Sequence, residues 1–436
     1  MESVSRRTVL TAAASAAALG ATAGCANVGA NTARGATGTP DSAPSGTAGT
    51  AGASASPSAG AVQLIGDGST ADTGPQPHQP TPEKLQPGET PPQFVVFSWD
   101  GAGELDQHNF SRFRAVAAQH NAAMTFFLSG IYALPAAKKT LYHPPQHAIG
   151  ASAIGYLNDE HIHATLQQVR LAWLEGHEIG THYNGHFCGA TGVGRWSPAE
   201  WHSEIQQAVQ FVTQWKTNTG FTDLDPLPFD YTKELTGSRT PCLEGRRNLL
   251  PTAAELGWTY DASSPGGLQV WPAKIQGGAI WDFPLQSIPF PGHSFQVLSM
   301  DYNIMANQSN ANPNGDPAKY AQWRTQAHNA YIAGFTRAYQ TNRAPFFIGN
   351  HFETWNGSIY MDAVESAVGE IAAHPDVRLI SFRQLVQWLE VQDPAVLSKL
   401  RTLNPGQSPH GGWQEFLGAA TPALTPSPTG KSSSPA

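Results

Sequence analysis

Between residues 93 and 391 short apolar runs alternate with helix-length amphipathic segments, and this alternation restricts the fold more than any other property of the chain. Residues 93–98, 123–128, 258–260, 345–349 and 377–380 read as strands. Residues 110–121, 166–175, 247–256, 358–373 and 382–391 read as helices. Tyr320, Trp323, Ala327, Tyr331, Phe335 and Tyr339 recur at helical spacing, as core positions rather than an aromatic sugar platform. Ser197-Pro198-Ala199-Glu200 opens one more helix, predicted to run to Thr219, with a Ser N-cap, Pro at the first helical position and a Glu placed to close a capping box. Strand-helix units of this length predict a parallel sheet closed into a barrel, with functional groups at the C-terminal ends of the strands.

The flanks cannot build a core. Residues 26–92 are mostly Ala, Gly, Thr, Ser and Pro, apart from Val62-Gln63-Leu64-Ile65, and residues 404–436 are rich in Pro and Ser. Both predict flexible tethers around a single domain spanning 93–403. Net charge is −8, from 33 acidic and 25 basic side chains in 436 residues, with no basic cluster in the interior. That argues against nucleic acid and for an enzyme or a binder of neutral ligands, expected as a monomer.

The first 25 residues resemble a twin-arginine export signal: Ser5-Arg6-Arg7-Thr8-Val9-Leu10, a small apolar run to Gly20, then Ala21-Thr22-Ala23-Gly24-Cys25 as a lipoprotein-type cleavage site. Thr22 stands where such signals usually carry Leu, so ordinary cleavage after Ala-x-Ala is the alternative to lipidation of Cys25. The apolar run is too short to span a bilayer, and nothing else in the chain is apolar enough. The protein is therefore expected outside the cytoplasmic membrane, anchored through Cys25 or secreted. There Cys188 and Cys242 either form a disulfide or stay as two buried thiols.

Gly176-His177-Glu178-Ile179-Gly180-Thr181-His182-Tyr183-Asn184-Gly185-His186 brings two imidazoles four residues apart to the end of an apolar strand. With 16 His in the chain, roughly one such pair is expected by chance, so context decides. The context is an ordered series. Ser98-Trp99-Asp100-Gly101 ends the first strand, Met124-Thr125-Phe126-Phe127-Leu128-Ser129-Gly130 forms the second, and Ser238-Arg239-Thr240-Pro241 and Asn350-His351 follow the His motif.

In order and spacing these motifs resemble the polysaccharide deacetylase family, also described by its NodB homology and as carbohydrate esterase family 4, over residues 93–392. The resemblance implies a distorted (β/α) barrel. It implies a hydrolase that removes N- or O-acetyl groups from a cell-wall or other extracellular polysaccharide. It also implies one divalent metal held by Asp100, His182 and His186, zinc foremost, with cobalt, manganese or nickel as alternatives. His351 matches the family's general acid and Arg239 an arginine that orients the catalytic base. Asp301 corresponds to an acidic residue supporting that arginine. The plain alternatives are a turn Asp with two loop histidines, a hydrogen-bonded core histidine and a surface ion pair.

One departure stands out. The family usually reads Thr-Phe-Asp-Asp-Gly at the first strand, and alignment on Gly101 puts Trp99 where the base belongs. Indole takes no proton from water, and losing a positioned base costs about 10²- to 10⁴-fold. Glu104 or Asp106 could substitute, metal alone could activate water, or the chain could bind acetylated sugar without turnover. A one-residue shift making Asp100 the base would leave the metal with two imidazoles.

Overall fold

The computed structural model describes residues 62–71 and 74–418. Among the described residues the main sheet has nine strands, eight of them parallel: β1 (Gln93–Asp100), β2 (Thr125–Leu128), β3 (Glu178–Thr181), β4 (Gly237–Ser238), β5 (Tyr260–Asp261), β6 (Ile280–Asp282), β7 (Phe346–His351) and β8 (Val377–Leu379), with Lys274–Ile275 added antiparallel to β6. Their spatial order is β7-β1-β2-β3-β4-β5-β6, each pair parallel. β8 pairs with the first half of β1.

Among the described residues no strand ladder joins β6 to β7; side chains and single bridges close that side. The Gln286 amide donates to the Pro345 carbonyl and accepts from the Phe347 N–H. The Ser299 hydroxyl donates to the Phe347 carbonyl, and the Gly349 N–H donates to the Ser299 carbonyl. The result is a distorted (β/α) barrel, wrapped by α1 (Asn109–Gln119), α2 (Asp159–Leu174), α3 (Pro198–Thr213), α4 (Arg246–Glu255), α5 (Asp301–Ser309), α6 (Tyr320–Tyr339), α7 (Trp355–Ala372) and α8 (Phe382–Val391).

The two-residue alternation of β1 sorts the core into two bodies. Phe94 and Val96 point inward and join Phe127, Tyr260, Phe283 and Phe347; α8 adds Phe382, Leu385 and Trp388, so apolar side chains fill the lower barrel. Val95, Phe97 and Trp99 point outward and pack with α1 and α7. Above the inner floor the same strand turns polar, at Ser98 and Asp100.

Side-chain caps mark the starts of α2, α3 and α8. At α3 both capping-box bonds form and Pro198 sits in the first turn, but the helix stops at Thr213, with a separate turn at Trp215–Thr219. α2 begins at Asp159, earlier than apolar spacing predicts, because the Asn158 side chain caps the His161 N–H and two acidic residues occupy the first turn.

The expected spacer joins the fold from Val62. Gln63–Ile65 and Ser69–Ala71 pair antiparallel. Trp215 Nε1 donates to the Gly68 carbonyl at 2.8 Å, and the Gln76 amide donates to the Trp173 and His177 carbonyls. At the other end Gly412–Phe416 is helical and Leu417 is buried in the inner apolar cluster. The signal-like segment and Cys25 lie outside the described residues. Among the described residues no helix is long and apolar enough to cross a membrane.

Candidate active site

Asp100 ends β1 on its inner face, and Gly101 then turns the chain with φ 64°, a left-handed conformation that suits glycine. Trp99 lies on the opposite face. It is fully buried, 4.0 Å from the Phe113 ring and stacked on Phe352 at 4.7 Å, with Nε1 3.3 Å from Met124 Sδ. The sequence alignment that gave Trp99 the base's place is corrected by this geometry: strand alternation turns the indole toward the helices. Nor do the substitutes face the site. Glu104 accepts from the Ser111 N–H in the first turn of α1, and Asp106 pairs with His161 at 2.8 Å.

Asp100 Oδ1 accepts from Arg239 Nη1 at 2.9 Å, and Oδ2 lies 4.0 Å from His351 Nε2. Arg239 is fully buried, donating also to the Ser98 hydroxyl at 2.8 Å and, through Nε, to the Ala262 carbonyl at 3.0 Å. Its guanidinium lies over Phe127 and Phe382, at 5.0 and 5.9 Å from the ring centroids. Burial alone would raise the Asp100 pKa, but Arg239, His182 and His351 outweigh it and hold the carboxyl below its ordinary value.

His351 ends β7 directly opposite Asp100. Its Nδ1 is 2.7 Å from Asp301 Oδ1, and its backbone N–H donates to Asp301 Oδ2 at 2.7 Å. Asp301 thus supports the imidazole, whereas the sequence resemblance had assigned it to the arginine. With Nδ1–H directed at a carboxylate, Nε2 is the atom presented to Asp100. Burial disfavours the charged ring, yet Asp301, Asp100 and Glu353 together raise its pKa to about 9. Glu353 was missed from the sequence, where nothing marks it out from other surface acids.

The other side of the mouth carries the paired imidazoles. His182 follows β3 and is 2% exposed. Its Nδ1 lies 2.8 Å from the Arg239 carbonyl, so Nδ1 carries the proton, while Nε2 is buried with no hydrogen-bond partner among the described residues. His186 sits at φ 54° with its ring 5.0 Å from that of His182. Burial lowers the pKa of both, that of His186 to about 3, with His182 and His351 adding to the effect. Two neutral rings, one with a bare buried lone pair, suit a divalent cation. Asp100 is already turned to Arg239.

Cys188 and Cys242 are joined in a disulfide with Cα atoms 6.0 Å apart, tying the loop after His186 to the loop after Arg239. Among the described residues, His186, Cys188 and Cys242 form the one set of three metal-donor atoms lying mutually within 4.8 Å. Because the two sulfurs are bonded to each other they offer no thiolate, so this set is not a metal site in the oxidised protein.

No protein-family model matches the chain, and no curated protein matches it. Among solved structures, it is similar to a family 4 acetyl xylan esterase from Clostridium thermocellum in complex with a cobalt ion: 15% identity, covering 70% of this chain and 96% of that one, TM-score 0.37. A mutant of the peptidoglycan deacetylase PdaC from Bacillus subtilis gives 10% identity over 71% of this chain and 96% of that one, TM-score 0.34. The allantoinase Puue gives 12% identity over 71% and 95%, TM-score 0.43. At such distances the activity of this chain has to be read from its own residues. By its parallel barrel and the order of its strand-end motifs, the chain resembles the polysaccharide deacetylase family.

Proposed function

We propose that this chain is a hydrolase that removes acetyl groups from an extracellular polysaccharide. The observation that carries the reading is the array Arg239–Asp100···His351–Asp301, in which an ionised carboxylate and a protonated imidazole face each other 4.0 Å apart, each held from behind by a partner of opposite charge. Hydrolysis of an amide or ester needs these two functions side by side: one group to accept a proton from water and one to give a proton to the leaving atom. Asp100 takes the first role, oriented by Arg239. His351 takes the second through Nε2–H, oriented by Asp301. After the water oxygen bonds to the acetyl carbon, the acetyl C–N or C–O bond breaks, the His351 proton goes to the leaving nitrogen or oxygen, and acetic acid departs, giving its own proton to solvent. Return of the Asp100 proton to His351 resets the pair.

His182 and His186 would hold one divalent cation, which would supply Lewis-acid polarisation of the acetyl carbonyl, while Asp100, bonded to Arg239, serves as the base rather than as a third ligand. Zinc suits two imidazoles with open positions for water and the acetyl oxygen; cobalt, manganese and nickel are accommodated too. The carbohydrate-binding alternative drew its support from Trp99 in the base's place, and that support goes with the indole on the helix side. Export through the twin-arginine segment, with lipid on Cys25 or release, would bring the site to acetylated wall polymers.

The test is acetate release from a panel of N- and O-acetylated polysaccharides by purified protein, assayed after chelation and after zinc addition. Release that depends on added metal supports the reading. Binding of an acetylated polymer with no release under any condition would replace it with carbohydrate recognition.

A further inference from the structure

The loop that carries His182 and His186 is held from outside itself. Two of the three residues between the histidines present consecutive backbone N–H groups to a single buried pair. The Asn184 N–H donates to Glu204 Oε1 at 3.1 Å, and the Gly185 N–H donates to the Tyr142 hydroxyl at 3.0 Å. That hydroxyl donates in turn to Glu204 at 3.0 and 3.2 Å, and the Asn184 amide donates to the Glu204 backbone carbonyl at 3.0 Å. Glu204 is 1% exposed, and Asn184 and Tyr142 are fully buried.

Three features make this more than ordinary packing. Glu204 lies on the inward face of α3 among Trp201, Ile205 and Ala208, where an apolar side chain would avoid desolvation, and it makes no ion pair among the described residues. Burial pushes its pKa up to about 7. The loop also holds Tyr183 and His186 at φ 62° and 54°, conformations that non-glycine residues keep only where their surroundings enforce them. Finally, the fit is tight: a Cβ on Gly185 would come 2.7 Å from the Tyr142 hydroxyl.

We propose that Glu204, acting with Tyr142, is the positioning residue that fixes the His182–His186 loop in the geometry that holds a divalent cation. This rests on the metal-holding role assigned above to the two imidazoles. Neither Glu204 nor Tyr142 touches the cation; both act through the Asn184 and Gly185 amides.

The experiment uses the exported chain stripped of metal, as wild type and as Tyr142→Phe, Glu204→Gln and Glu204→Ala. Two properties are measured: zinc affinity by equilibrium dialysis, and protection of the Asn184 and Gly185 amides from hydrogen exchange without metal. Tyr142→Phe and Glu204→Ala are expected to weaken zinc binding about 10- to 100-fold. Both should deprotect the two amides, while Glu204→Gln, which keeps an acceptor for Asn184, recovers most of the affinity. Leu397→Ala, at a buried position on another helix, controls for lost stability: it should lower the melting temperature and leave zinc affinity alone. Should Glu204→Ala fail to fold, Tyr142→Phe decides, since it removes one oxygen. Unchanged affinity and unchanged amide protection in Tyr142→Phe would overturn the proposal. If wild type binds no zinc, the metal-holding reading fails by itself, and the amides alone then judge the positioning role: retained protection in both Tyr142→Phe and Glu204→Ala overturns it.

Discussion

The two faces of the β1–β7 strand pair, one residue apart in register, have opposite chemistry. On the inner face His351 stands opposite Asp100, each tied to a charged partner. On the outer face Asn350 stands opposite Trp99, among Phe113, Phe352 and other apolar side chains. The difference teaches that position along a strand end matters less than parity. A shift of one residue moves a side chain from a place where charge is paired to one where it has no partner.

The sharpest way to break this contrast is to put charge on the wrong face. Trp99→Asp is expected to destabilise the protein by at least about 4 kcal/mol, through the cavity left by the indole and an unpaired buried carboxylate. Denaturant unfolding measures it. A folded and faster Trp99→Asp enzyme would instead put Trp99 back in the base's place.

Asp100→Asn tests the inner face. The amide oxygen still accepts from Arg239, so the fold should persist, while acetate release falls about 10²- to 10⁴-fold. A rate within a few fold of wild type would remove Asp100 from proton transfer.

The pH profile comes next. The His351 pKa is raised from the ordinary 6.5 to about 9, so its proton is available below that pH and activity should fall as pH rises through about 9. The stability this charged ring contributes follows the same sign: full below 6.5 and lost through about 9. Asp301→Asn should bring the alkaline limb down toward the ordinary imidazole range. A limb that stays in place would show that Asp301 does not set it.

The smallest effect is expected at Asn350, whose Nδ2 and Oδ1 have no partner among the described residues. Asn350→Leu should stabilise by about 1 kcal/mol, since it removes desolvated polar atoms of similar shape. A loss of stability would point to a bound water there.

Much of this was legible in the sequence, for identifiable reasons. Pro198 and the Ser197/Glu200 pair act locally, and that helix starts where they say. Strand-end residues Asp100, His182, Arg239 and His351 converge because parallel strands paired in register bring their C-terminal ends to one mouth. The parity of Trp99 was also available: Val95, Phe97 and Trp99 alternate with Val96, Ser98 and Asp100, but alignment on Gly101 overrode that period of two. Other features have no local signal. Glu204 looks like any acidic residue on an amphipathic helix until Tyr142, 62 positions earlier, reaches it. Residues 74–92 read as a spacer because side-chain amides such as Gln76 and a few scattered apolar contacts such as Leu85, rather than a periodic apolar pattern, fasten them.

Beneath Arg239 the barrel is stoppered by aromatic rings from β2 and α8. The site is therefore a cup floored by these rings, and on the reading proposed above water, acetyl group and acetate would all pass through the strand-end mouth. A polymer does not have to thread such a cup. On that same reading it would lie across the rim and dip one acetyl group at a time, which would make internal residues of a long chain as reachable as its ends.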